Sequence, residues 1–345
     1  MSFNLSGFLL LTLWLFGCEI DSKSQEHTLT DLSGNALGST WCVKVLTKKK
    51  YNQQELKDNI SKKLEETEKI FSHWHPNSEL YKFNATKNTL PLPVHPDLYK
   101  LLQHAEWIYQ ESGGAFDPTV GTLVNLWGFG PTGKTRSTIP TKAQIAKAKN
   151  LTGLHHLEIL ADGRIRKKNP FLQLDLSGSA KGEIIDQVCK VLDRWNFQNY
   201  LVEIGGEVRA LGKGRNGKGW VIGLENGNMQ NDTLESVSLR NYAVATSGNY
   251  RLNKPDPTSS GKASHLINPL SGQPVNHGLI AVNVFAPTAR DADAWATALM
   301  ILRPKEGRKK AEELDMVVRF CSKLNGQIKI SYSSAYQRLY SANSP

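Results

Sequence analysis

The sequence predicts an α+β fold in which mostly antiparallel sheets pack against helices, and three observations carry that expectation. Some segments place apolar residues at helical spacing, as at Leu56, Ile60, Leu64 and Phe71, while others alternate apolar and polar residues over short runs. The alternating runs follow one another through Gly-rich turns, as antiparallel neighbours do. A chain of 345 residues, 39% hydrophobic and 21% charged, has ordinary globular composition and can bury a large core.

Residues 19–35 are polar and aperiodic and are expected to form a tether. Gly38 to Val45 alternates and predicts a strand, and residues 53–71 predict an amphipathic helix. Residues 72–96, holding Pro, Asn and His, are expected to be a loop. Leu98, Leu101, Leu102, Ala105 and Tyr109 mark a second helix that ends near Gly113-Gly114. A Gly/Trp/Pro-rich stretch, Ala115 to Pro131, precedes a short helix from Thr141 to Lys149. Strands are expected at 157–160 and 171–176. A strong helix follows, with Ile184, Val188, Val191 and Trp195 on one face. Further strands are expected at 200–204, 208–211, 219–225, 237–245, 264–268 and 279–286, and helices at 289–302 and 305–314. Asn325-Gly326, between two apolar runs, signals a hairpin. There is no internal repeat.

The net charge of +10 and a pI near 9.3 suit nucleic acid, an anionic membrane surface or phosphate ligands alike. No helix-turn-helix, RRM or zinc-finger pattern is present, so nucleic-acid binding is not expected. Cys42, Cys189 and Cys321 form no CxxC pair and read as small buried hydrophobes. The fourth cysteine, Cys18, ends the apolar run Phe8 to Phe16, after which the chain turns polar at Glu19, Asp21 and Ser22. This start resembles a bacterial lipoprotein signal, although no Lys or Arg precedes the apolar run. It implies cleavage before Cys18, acylation of its thiol and a lipid anchor on the periplasmic side of the cell envelope. The chain then divides into a signal peptide (1–17), a tether (18–36) and one domain (37–345).

Four segments exceed what packing requires. Ala115-Phe116-Asp117-Pro118-Thr119-Val120-Gly121 follows a Gly pair that permits close backbone approach to a ligand. Asp175-Leu176-Ser177-Gly178-Ser179-Ala180-Lys181-Gly182 leads into a helix start, where free N–H groups and Lys181 suit an anion. Glu203-Ile204-Gly205-Gly206-Glu207 and Ala245-Thr246-Ser247-Gly248 are turn-rich. Each of these also fits a plain turn or sheet corner. The last segment holds His265 and, further on, Asp291-Ala292-Asp293-Ala294-Trp295-Ala296-Thr297. Asp293 and Thr297 lie at i and i+4, so their oxygens share one helix face and suit a hard cation. Asp291 fits a capping box with Thr288.

In this order the segments resemble the FAD:protein FMN transferases, the ApbE-like flavin transferase family, from about Gly38 to Leu302. The resemblance implies a T-fold-like flavin transferase architecture for residues 37–345. It implies that Asp175 and Lys181 contact FAD, and that the Ala115-Phe116-Asp117 backbone, Trp74, Ser247 and Gly248 line the flavin site. It implies magnesium (Mg2+) held by Asp293, Thr297 and the Gly178 carbonyl, and His265 as base. Asn268 stands where the family commonly has Asp, and Ser179 where it has an apolar residue. The activity implied is transfer of FMN from FAD to a Thr or Ser hydroxyl of an acceptor flavoprotein, such as a respiratory redox subunit, with release of AMP. Two other readings use the same residues: an FAD pyrophosphatase giving FMN and AMP, and a non-catalytic flavin-binding lipoprotein.

Overall fold

The computed structural model describes residues 27–132, 139–225, 235–248, 253–255 and 262–341. The signal segment and Cys18 lie outside them. Eight strands form one sheet: β1 (Thr28–Ala36), β2 (Ser39–Thr47), β3 (Tyr200–Ile204), β4 (Glu207–Leu211), β5 (Tyr242–Gly248), β6 (Leu279–Ala286), β7 (Val317–Leu324) and β8 (Gln327–Tyr332). Their order across the sheet is their order in the chain, and every neighbouring pair is antiparallel. The antiparallel expectation therefore holds. Long excursions leave this meander and return to it, the largest being residues 48–199 between β2 and β3.

The helices lie in these excursions, apart from the last, which follows β8. These are α1 (Gln53–Phe71), α2 (Glu79–Ala85), α3 (Pro96–Glu111), α4 (Gly121–Leu126), α5 (Lys142–Lys149), α6 (Ala180–Arg194), α7 (Ala289–Ile301), α8 (Pro304–Glu313) and α9 (Ser334–Ser341). Apolar residues on one sheet face, among them Trp41, Val43, Val202, Ala245 and Val282, pack on Leu56 and Ile60 of α1, Leu101 of α3, Ile184 and Val188 of α6, and Trp295 and Leu299 of α7. The other face, with Leu46, Val208, Val244 and Phe285, is covered by the hairpin of Trp220–Leu224 with Glu235–Leu239 and by Tyr336 of α9. Through this second layer runs a polar chain. Fully buried Arg319 donates to Asn283 Oδ1 (2.8 Å) and Glu235 Oε2 (2.7 Å), and Asn283 donates to Thr246 Oγ1 (2.7 Å). No helix among the described residues is long and apolar enough to cross a membrane.

Several elements differ from expectation. Residues 28–36, expected within the tether, form β1 and pair with β2 along their whole length. As an edge strand β1 buries only Thr30 and Leu32, so its sequence stays polar. A two-residue turn at Leu37-Gly38, both at positive φ, closes the hairpin. Within the expected loop 72–96, Ser78 caps α2, which is too short to show a helical period. Residues 171–176 are extended, with Leu172, Leu174 and Leu176 buried in alternation, yet form no strand. Their backbone is held by side-chain and loop partners: Asn84 bonds both the N–H (2.7 Å) and the carbonyl (2.8 Å) of Leu174. The run 237–245 breaks at Asn241, at φ 56°, into two strands of different sheets.

Candidate active site

The site is built where α6 and α7 meet on the sheet. Gly182, in the first turn of α6, lies so close to α7 that a Cβ on it would sit 2.2 Å from the Ala289 carbonyl oxygen. Its N–H donates to Asp293 Oδ2 (3.0 Å). Asp293 is 4% exposed. Burial pushes its carboxyl up to about 7 against the pull of Lys181, with Glu207 adding to the rise and the Gly182 N–H opposing it. One turn along α7, Thr297 faces Gly178: a Cβ there would lie 2.9 Å from Thr297 Oγ1. Thr297 Oγ1 is also 3.2 Å from Ser247 Oγ at the end of β5. Lys181 Nζ donates to Glu207 Oε1 of β4 (2.6 Å). Gly178, Lys181, Ser247, Asp293 and Thr297, expected from three distant segments, thus form one cluster. Glu207 joins it, although the sequence assigned that residue no role beyond a sheet corner.

Among the described residues no group of three or more His, Cys, Asp and Glu is placed to hold a metal ion. The cluster instead sets one carboxylate near the Thr297 and Ser247 hydroxyls, a donor set that suits a hard cation when carbonyl, water and phosphate oxygens complete it. A carboxylate buried as Asp293 is costs free energy when ionised, and a cation offsets that cost.

Asp291 has a different task. Thr288 caps α7 and accepts the Asp291 N–H (3.1 Å). The Asp291 carboxylate accepts from the Thr288 hydroxyl and meets His104 Nε2 of α3 at 2.7 Å. Burial raises the Asp291 carboxyl, but His104 and Thr288 outweigh it and leave it lowered. The expected cap is present, while the carboxylate goes to the Thr288 hydroxyl and His104 instead of closing a capping box on the backbone.

The expected flavin-lining residues lie on a loop beside this junction. Ala115, Phe116 and Asp117 are buried behind Gly113 and Gly114, both at positive φ. Asp117 accepts the Thr119 N–H (2.8 Å), Thr119 Oγ1 accepts the Gly153 N–H (2.7 Å), and burial raises the Asp117 carboxyl. The Asp175 N–H donates to the Pro118 carbonyl (2.8 Å), which fastens this loop to the segment that leads into α6. The Asp175 carboxylate accepts the Ser177 N–H (2.9 Å). Both carboxylates therefore shape turns. Ala115 packs with Leu266, next to His265, and with Val275. The His265 ring meets Phe129 edge-on at 6.4 Å. Asn268 accepts the N–H groups of Leu270 (2.9 Å) and Ser271 (3.1 Å), so an Asn performs the turn-forming work there. Gly248 ends β5 opposite Ala281. Trp74 is 58% exposed in the loop after α1, where its ring lies 5.4 Å from that of His73 and its backbone N–H donates to Ser72 Oγ (3.2 Å).

A glycine-rich approach to a helix start, one lysine and one buried carboxylate form the kind of site that receives a phosphorylated ligand. The chain belongs to the ApbE family, whose model matches residues 37–320. It is 32% identical over 324 residues to the FAD:protein FMN transferase of Klebsiella pneumoniae, covering 92% of each chain. The flavin transferase ApbE from Vibrio cholerae has a similar structure, with a TM-score of 0.83 at 32% identity over 90% of this chain and 99% of that one. The apo form of Pseudomonas stutzeri flavinyl transferase ApbE matches equally well, with a TM-score of 0.83 at 31% identity over 91% and 98%.

Proposed function

We propose that this chain is an FAD:protein FMN transferase that moves FMN from FAD to a Thr or Ser hydroxyl of an acceptor flavoprotein. Relatives of that name span nearly its whole length. The observation that carries the reading is the convergence of Gly178, Lys181, Ser247, Asp293 and Thr297 at one helix junction. In the reaction the acceptor oxygen forms a bond to the FMN phosphorus, the pyrophosphate P–O bond breaks, and AMP leaves. His265 takes the hydroxyl proton, a task an imidazole can perform near neutral pH. Lys181 is a point charge for the pyrophosphate, and the neighbouring N–H groups at the start of α6 favour the same anion. Asp293, Thr297 and the Gly178 carbonyl would hold magnesium, which supplies further neutralisation of the phosphate charge. Ala115, Phe116, Asp117, Asp175 and Gly248 line the flavin side through their backbone and fixed turns, with Trp74 at the rim.

The acceptors fit the class of respiratory redox subunits, and Cys18 would carry a lipid anchor on the periplasmic side of the membrane. The decisive experiment is incubation with FAD, magnesium and an acceptor protein, read by intact mass. An acceptor heavier by one FMN, with AMP formed in step, is the expected result. AMP and free FMN formed equally well without acceptor would make the chain an FAD pyrophosphatase. Flavin retained with no AMP would make it a binding protein.

A further inference from the structure

We propose that Asp186 is a positioning residue for this site: from α6 it holds the start of α7 and so sets Asp293 and Thr297 against Gly178 and Lys181. The inference rests on reading Asp293 and Thr297 as metal ligands. Asp186 lies within α6 and is 6% exposed. Its Oδ1 accepts the N–H of Ala289 (3.0 Å) and its Oδ2 the N–H of Arg290 (3.1 Å), the first two residues of α7. Arg209 of β4 donates to the same carboxylate. Thr288 already takes the Asp291 N–H, so three N–H groups at this helix start have side-chain partners, and two of them come from another helix. A carboxylate at a helix N-terminus also gains from the dipole.

The spacing ties this clamp to the site. Gly182 and Asp186 are four residues apart and share the α6 face turned toward α7; Asp293 and Thr297 are four apart on α7. Gly182 allows the two backbones to touch, and its N–H reaches Asp293. Glu183 adds a contact to Arg290 at 3.5 Å. Apolar packing alone would hold two helices together without defining how far one can slide along the other. A charged pair largely removed from water is often no more stabilising than an apolar substitute, and what this one adds is register. Sliding α7 by part of a turn would part Thr297 from Gly178.

The test uses Asp186→Asn, which keeps the size and one acceptor oxygen but removes the charge that Arg209 meets. Manganese binding is measured by calorimetry on FAD-loaded full-length protein without acceptor. Binding weaker by about tenfold or more is expected, as for other changes behind a metal ligand. The magnesium midpoint for transfer should rise in parallel, with the rate at saturating metal changing far less. Thr141→Ala, which breaks the capping box of α5 outside the α6–α7 junction, should lower the melting temperature without moving either midpoint. Arg209→Gln leaves Asp186 in place and decides the matter if Asp186→Asn does not fold. Wild-type manganese affinity in both clamp variants would overturn the proposal, as would equal weakening by Thr141→Ala. Equal affinity in wild type and Asp293→Ala would overturn the reading of Asp293 as a metal ligand, and the clamp with it; weaker binding in Asp293→Ala beside wild-type affinity in both clamp variants would overturn the clamp alone.

Discussion

At the scale of single residues, the two carboxylates of α7 have opposite surroundings. Asp293 is buried with one backbone donor and a raised carboxyl, whereas Asp291 is satisfied by Thr288 and His104 and lowered. Asp293→Ala should abolish metal-dependent FMN transfer and leave the melting temperature close to wild type. Asp291→Ala should retain metal-dependent transfer and lose roughly 1–3 kcal/mol of stability, because a cap partner goes and buried His104 loses its acceptor. Denaturant unfolding and a magnesium titration of transfer measure both; a dead Asp291 variant beside a metal-responsive Asp293 variant would reverse the assignment. His265→Ala should bind FAD normally and lose transfer by about two to four orders of magnitude. Flavin fluorescence titration and rate measurement check this, and a near-normal rate would place the base elsewhere.

At the scale of elements, the geometry of the candidate site is set by how closely α6 and α7 approach. Gly182→Ala puts a methyl group against the Ala289 carbonyl, where nothing flexible can yield. It should cost about 1–3 kcal/mol in the denaturation midpoint and lower transfer through displacement of Asp293. A variant as stable and active as wild type would show that the helices can separate freely. A second element-level contact has a pH signature. Lys167, almost fully buried, donates to the carbonyls of Thr86 (2.8 Å) and Asn84 (3.2 Å) at the end of α2, and burial pushes its amine down to about 8 from 10.5. The unfolded chain then binds the proton more tightly than the folded one. The cost of the buried charge is fully present below about pH 8 and is relieved as pH rises toward 10.5. Wild type should therefore gain stability relative to Lys167→Met between those limits; a constant difference in urea midpoints would refute this.

At the scale of the whole molecule, an in-order antiparallel sheet is interrupted by excursions that return with the site residues. The helical face carries the candidate site, and the opposite face is closed by the Trp220–Leu224 hairpin and α9. β1 begins ten residues after Cys18, so an acyl anchor there would hold the folded domain within about 35 Å of the membrane, the reach of an extended chain of that length. Cys18→Ala should move the protein from the membrane to the soluble fraction while its FMN transfer in detergent-free buffer persists. Unchanged fractionation would mean that Cys18 carries no anchor.

Much was legible in the sequence because its signals are local. Periodic apolar positions marked α1, α3 and α6, Asn325-Gly326 marked the last hairpin, and i, i+4 spacing placed Asp293 and Thr297 on one face. Glycine-rich motifs and family resemblance drew attention to Gly178, Lys181 and Ser247. Local pattern could not reveal β1, whose edge position buries so little that its residues remain polar. It also gave residues 171–176 the alternation of a strand, since burial alternates there although the hydrogen-bond partners are Asn84 and Pro118. Only tertiary structure decided that Glu207 meets Lys181, that His104 meets Asp291, and that Asp186 meets both Arg209 and the first N–H groups of α7. Those partners are far apart in the chain, and a charged side chain's partner is chosen by which backbones pack together, a long-range outcome that short-range periodicity does not encode.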